Sequence, residues 1–109
     1  MKIYEGKRTA DGCIVNIIAG PIEDGRAWKP LPLRLDLAPK SPTGFEWGYA
    51  GSGPAQLALA LCADVVGDER ALRIFQQFKF RHVGVWHREG WRYTEEQLRT
   101  MISTLELEQ

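Results

Sequence analysis

The segment from Pro54 to Val66, PAQLALALCADVV, constrains the fold more than any other part of the chain. At helical spacing Leu57, Leu61 and Val65 form one stripe, and Ala58, Cys62 and Val66 form the next. Leu59, Ala60 and Ala63 leave almost no polar side. A helix that is apolar nearly all round must be covered on every face. It is also far shorter than the roughly 20 residues needed to cross a bilayer. The segment is therefore expected to be the buried central helix of a globular domain. Pro54 suits the first turn, where a missing N–H costs nothing, and Ser52 or Gly53 is expected to cap it. Gly67 is expected to end it with a left-handed residue.

The rest of the chain reads as what surrounds that helix. Residues 2–8 and 13–18 are expected to be strands of a hairpin, joined at Asp11-Gly12. Residues 19–31 carry Gly20, Pro21, Gly25 and Pro30 and read as a long variable loop or insertion. Residues 32–37 alternate, with Leu33, Leu35 and Leu37 against Arg34 and Asp36, and predict a third strand. After Gly67, Asp68 is expected to cap a second helix to about Lys79, with Ala71, Leu72, Phe75 and Phe78 inward. Residues 80–87 and 91–93 read as two strands around a turn at 88–90, with Trp86 and Trp91 paired across it. Thr94 and Gln97 have the spacing of a capping box for a third helix, whose stripe is Leu98, Met101, Ile102 and Leu105. The predicted order is β-β-β-α-α-β-β-α. This is an α+β fold, a mostly antiparallel sheet of about five strands packed on the central helix and two further helices.

Charge and cysteine content narrow the function classes. At 109 residues, 1–109 is expected to be a single domain. Lys and Arg total 14, as do Asp and Glu, so a surface neutralising an extended nucleic-acid duplex is not expected. Neither a membrane span nor a secretory signal is evident, which points to a cytoplasmic protein. Cys13 and Cys62 form no C-x-x-C pair and are expected to be reduced and buried. His82 and His87 would lie on opposite faces of the strand at 80–87. No metal and no cofactor are therefore expected.

The glycine-rich segment 39–53 is where a site is expected. Gly48-Tyr49-Ala50-Gly51-Ser52-Gly53-Pro54 runs into the central helix, and glycines before a helix N-terminus can expose N–H groups to an anion. No Gly-Lys-Ser/Thr ending follows, which argues against a nucleoside triphosphatase. No parallel βαβ unit surrounds the segment, which argues against a dinucleotide fold. Trp47 and Tyr49 place aromatic rings beside those donors, the pairing that a nucleobase with a phosphate would use. Glu46, Trp47, Tyr49, Ser52 and Gln56 are the expected ligand contacts, with Arg81 completing them. Each has a plainer role in packing, capping or ion pairing. No catalytic residue is assigned, because no hydroxyl, base and orienting group share a motif.

The string SPTGFEWGYAGSGPAQLALAL at 41–61, with KIYEGKRTADGC at 2–13 and FKFRHV at 78–83, resembles a family of uncharacterised small proteins of bacteria, phages and other mobile elements. The resemblance implies a context rather than an activity, since small proteins of mobile elements often bind host molecules or counter host defence. The leading expectation is a non-enzymatic binding domain that holds or sequesters a phosphate-bearing or nucleotide-like small ligand. The alternative is a protein-interaction module that inhibits a host defence complex through Trp86 and Trp91 or the 19–31 loop. A small enzyme of unknown class comes third. Pairing into a homodimer would add buried area to so small a chain.

Overall fold

The computed structural model describes residues 2–19 and 27–109. The chain runs β1 (Ile3–Thr9), β2 (Gly12–Ala19), β3 (Ala27–Pro30), α1 (Ser52–Val66), α2 (Asp68–Arg81), a single 3-10 turn (Val83–Val85), β4 (Gly90–Thr94) and α3 (Glu95–Leu107). The fold is α+β. Among the described residues one antiparallel sheet has the order β3-β2-β1-β4, and three helices accompany it.

The expected hairpin forms, with Thr9 paired to Gly12 across a two-residue turn. Gly12 has φ +124°, which L side chains rarely adopt, and Thr9 Oγ1 donates to the Gly12 carbonyl. β4 lies against the other edge of β1, pairing Gly6 with Trp91. The Trp91 indole then rests on Gly6, where a Cβ would stand 2.5 Å from the ring, so a bare backbone is required at that position.

The central helix behaves as its composition dictates. Gly53–Ala63 and Val65 are buried, and Leu57, Ala58, Leu59, Leu61 and Cys62 are wholly so. Its single charge, Asp64, accepts a hydrogen bond from the Tyr4 hydroxyl and an ion pair from Lys2, tying α1 to β1. Burial, with the neighbouring carboxylate, drives the Tyr4 pKa far up, so the hydroxyl stays a donor. Gly67, at φ +93°, ends α1 and starts α2: its N–H donates to Ala63 and its carbonyl accepts from Ala71. The capping box of α3 is present in both directions, Gln97 N to Thr94 Oγ1 at 3.0 Å and Thr94 N to Gln97 Oε1 at 2.8 Å.

Several expectations are corrected. Among the described residues the sheet has four strands, not five, and the order is β-β-β-α-α-β-α. The third strand is Ala27–Pro30, inside the segment read as a loop, while residues 20–26 of that loop lie outside the described residues. Residues 32–37 form no strand. Arg34 takes φ +59°, Leu37 N bonds back to its carbonyl, and its guanidinium is shared by Asp36 and Asp68. The alternating pattern there serves an ion-pair cluster instead of a sheet face.

Residues 80–87 form no strand either. α2 continues to Arg81 because Phe78 and Lys79 still face the core, and the 3-10 turn then buries Val83. Trp86 and Trp91 do meet, with centroids 4.6 Å apart, but through the core and not across a hairpin. On α2, Ile74 takes the buried place expected for Leu72, which is exposed. The N-cap of α1 is Gly51, with no side-chain hydrogen bond, so neither Ser52 nor Gly53 caps it. Asp68 is the first residue of α2, and its carboxylate binds Arg34 rather than the helix end.

Candidate functional site

A hollow of about 340 Å³ opens between the β1–β2 turn and the glycine-rich segment. The turn contributes Asp11, Gly12 and Cys13. Ser41, Thr43 and Glu46 form the opposite wall, and Tyr49, Ser52 and Gly53 close the side beside α1. The wall is built by local chemistry. Ser41 is buried, donates from Oγ to the Gly44 carbonyl at 2.9 Å, and is tied to α1 by its N–H on Gln56 Oε1 at 2.8 Å. Gly53 lets the first turn of α1 rest on Glu46: a Cβ there would stand 2.6 Å from the Glu46 Cβ.

Glu46 is held in place by Arg8. Arg8 Nη1 donates to Glu46 Oε2 at 3.1 Å and Nη2 to Oε1 at 2.9 Å, a bidentate pair. The same guanidinium lies 5.2 Å from the Trp47 ring centre, and its Nε donates to the Arg88 carbonyl. Hydrogen bonds from Arg8 hold the Glu46 carboxyl below the usual range against the opposing effect of burial, with smaller lowering contributions from the Cys13 thiol and the Trp47 amide. Burial, then Glu46, pushes the Cys13 thiol up. Glu46 is therefore a paired carboxylate and Cys13 a neutral thiol. A general acid would instead need a raised carboxyl pKa, and a thiol nucleophile a lowered one.

The six residues expected from sequence separate. Glu46, Tyr49 and Ser52 line the hollow. Tyr49 folds its ring over Gly51 and stays 45% exposed at the rim. Trp47 is fully buried, donates from Nε1 to the Arg88 carbonyl at 3.0 Å, and meets Trp91 edge-on at 5.7 Å. Gln56 is fully buried, and its amide serves the backbone: Oε1 accepts from Lys40 and Ser41, and Nε2 donates to the Leu33 carbonyl at 2.7 Å. Arg81 lies between the ends of α2 and α3, paired to Glu108 at 2.9 Å.

Sequence reasoning did not assign Asp11 and Cys13 to the site. The Asp-Gly turn is legible locally, but its position against segment 41–53 is tertiary and leaves no local pattern. Neither histidine lines the hollow: His82 packs at a tilt against Phe78, burial lowering its pKa, and His87 Nδ1 accepts from Glu89 N. Trp86 and Trp91 are buried, so the interaction surface expected around them is interior.

Among the described residues no group of three or more His, Cys, Asp or Glu is placed to hold a metal ion. Among them, too, no helix is long and apolar enough to cross a membrane. A model described as a family of unknown function, DUF6166, matches residues 4–104. No curated protein and no solved structure matches the chain.

Proposed function

We propose, from the premise that this chain belongs to the DUF6166 family of unknown function, that it is a binding domain whose hollow takes a small nucleotide-like ligand. The observation that carries this is a polar hollow with a half-exposed tyrosine ring on its rim and a helix N-terminus in its wall. Tyr49 offers a stacking surface for a base. The first amides of α1, at Ser52 and Gly53, have no acceptor within the helix and suit one phosphate group. The Asp11 and Glu46 carboxylates suit amino or hydroxyl donors of a base or sugar. Among the described residues no Lys or Arg lines the hollow, and Arg8 is committed to Glu46. A polyphosphate beside two carboxylates would be repelled, so the ligand carries a single phosphate. Binding without turnover, as in sequestration of a host signal, fits a site whose carboxylate and thiol are both quenched.

Calorimetry against a nucleoside, its monophosphate, its triphosphate and inorganic phosphate tests the reading. The monophosphate is expected to bind most tightly, with affinity falling at least about tenfold in Tyr49→Ala. Silence from the whole panel at millimolar concentration, or tightest binding by the triphosphate, would overturn it.

A further inference from the structure

Among the described residues every Lys and Arg is paired with a carboxylate except Lys29, Lys40, Lys79 and Arg88. Lys40 and Lys79 each lie over an aromatic ring, Phe75 at 5.9 Å and Phe80 at 4.0 Å. Lys29 pairs with Ile17, on the half of β2 away from Cys13 and the hollow. Arg88 is exposed and has neither kind of partner. Its stem stands beside the rim of the hollow: Cγ is 3.0 Å from where a Cβ on Gly48 would be, next to Tyr49. Its carbonyl is fixed, accepting from Arg8 Nε at 2.9 Å and from Trp47 Nε1 at 3.0 Å. The backbone is therefore anchored to the wall of the site while the guanidinium is left free. Its charge reaches Cys13, working against burial and Glu46 to lower that thiol's pKa.

Asp11, Glu46 and Arg8 together leave the hollow with one negative charge in excess, and Glu89 stands near enough to act on Arg8 as well. A phosphate entering there needs a cation that no carboxylate already holds. We propose, resting on the reading of the hollow as a nucleotide site, that Arg88 swings across Gly48 onto the ligand's phosphate and makes the site selective for a phosphate monoester. No ion pair has to break for this motion, since Arg88 has none among the described residues. A guanidinium grips two phosphate oxygens as a fork. The first amides of α1 are then left for a third. A monoester carries three free oxygens, whereas a diester, cyclic or bridging, carries only two.

Calorimetry with the nucleoside, the 5′-monophosphate and the 3′,5′-cyclic monophosphate of each of the four RNA bases reads the selectivity. The wild type is expected to bind at least one monophosphate about tenfold or more tighter than its nucleoside and its cyclic form. In Arg88→Ala that monophosphate is expected to fall to the level of the nucleoside, while the nucleoside itself changes by no more than about twofold. Arg88→Lys keeps the charge without the fork and is expected to lie between the two. The Arg88 carbonyl survives both substitutions, so the hydrogen bonds from Arg8 and Trp47 remain, and unchanged urea midpoints verify that the fold is intact.

Three results would overturn the proposal: a monophosphate held as tightly by Arg88→Ala as by the wild type, an equal loss for nucleoside and monophosphate in that variant, or a cyclic form bound as tightly as the monoester. In each of these the hollow still takes a nucleotide, and weakening by Tyr49→Ala leaves that reading standing. Silence of the wild type towards the whole set would end both.

Discussion

Trp47 and Tyr49 stand two residues apart in one glycine-rich segment, yet one is sealed in the core and the other lies on the rim of the hollow. Between them Gly48 has φ +87° and donates to the Val83 carbonyl at 3.0 Å, turning the chain so that the two rings part. Trp47 points to a place prepared for it. The Arg88 carbonyl takes its N–H, Trp91 meets its edge, and Arg8 covers its face. Tyr49 lies over Gly51 and stays 45% exposed. An aromatic residue in irregular backbone thus becomes core or site according to whether the interior supplies a partner for its polar atom, and composition alone does not reveal that.

The largest test of this contrast is a pair of truncations. Trp47→Ala removes a fully buried ring and is expected to cost about 3–5 kcal/mol in urea denaturation, leaving a domain this small near its unfolding threshold. Tyr49→Ala is expected to cost within about 0.5 kcal/mol, as surface changes do. Comparable losses at the two positions would erase the distinction and with it the argument that Tyr49 is free for a ligand.

Gln56 sharpens the same boundary from the α1 side. It sits in the most apolar helix of the chain and binds three backbone groups of the segment before the hollow, at Leu33, Lys40 and Ser41. Gln56→Leu keeps the volume and strands those groups. The expected loss is about 2–3 kcal/mol, with hydrogen exchange at Lys40 and Ser41 accelerating. Unchanged exchange there would mean that the segment is held by something other than Gln56.

How much of this was legible in the sequence follows from where each signal resides. α1, Gly67, the β1–β2 turn and the capping box of α3 are local: periodicity or a few adjacent residues specify them, and the structure has them where they were expected. The alternation at 32–37 misled because a period of two reports exposure on two sides and not pairing. Arg34 and its two carboxylates satisfied the same pattern without a partner strand. The VGVW run misled because β-branched residues beside an aromatic suit a strand, while Phe78, already fixed on α2, offered Trp86 a partner at 6.1 Å within the core. Of the six residues expected at a site, three lie around the hollow and three do not. Tyr49, Ser52 and Glu46 face the hollow because Gly48 and Gly53 shape the backbone around them. Arg81 went elsewhere because Glu108 lies beside it, a relation spanning two helices.

The smallest effect concerns the charge at the wall of the hollow. Glu46 keeps its carboxylate ionised because Arg8 binds both oxygens, so its pKa is lower in the folded chain than in the unfolded one. A depressed carboxyl pKa adds stability above the unfolded value and loses it as pH falls through the folded value. Glu46→Gln is therefore expected to be less stable than wild type at neutral pH, by about 1 kcal/mol for a bidentate pair whose carboxylate is a third exposed. The gap should close as pH falls below the ordinary glutamate range and through the depressed value at which the wild-type carboxylate takes up its proton. Urea midpoints for both proteins across that range check the sign. A gap that stays constant with pH would show that the variant loses packing against Gly53 rather than the ion pair, and the wall of the hollow would then be held by shape instead of charge.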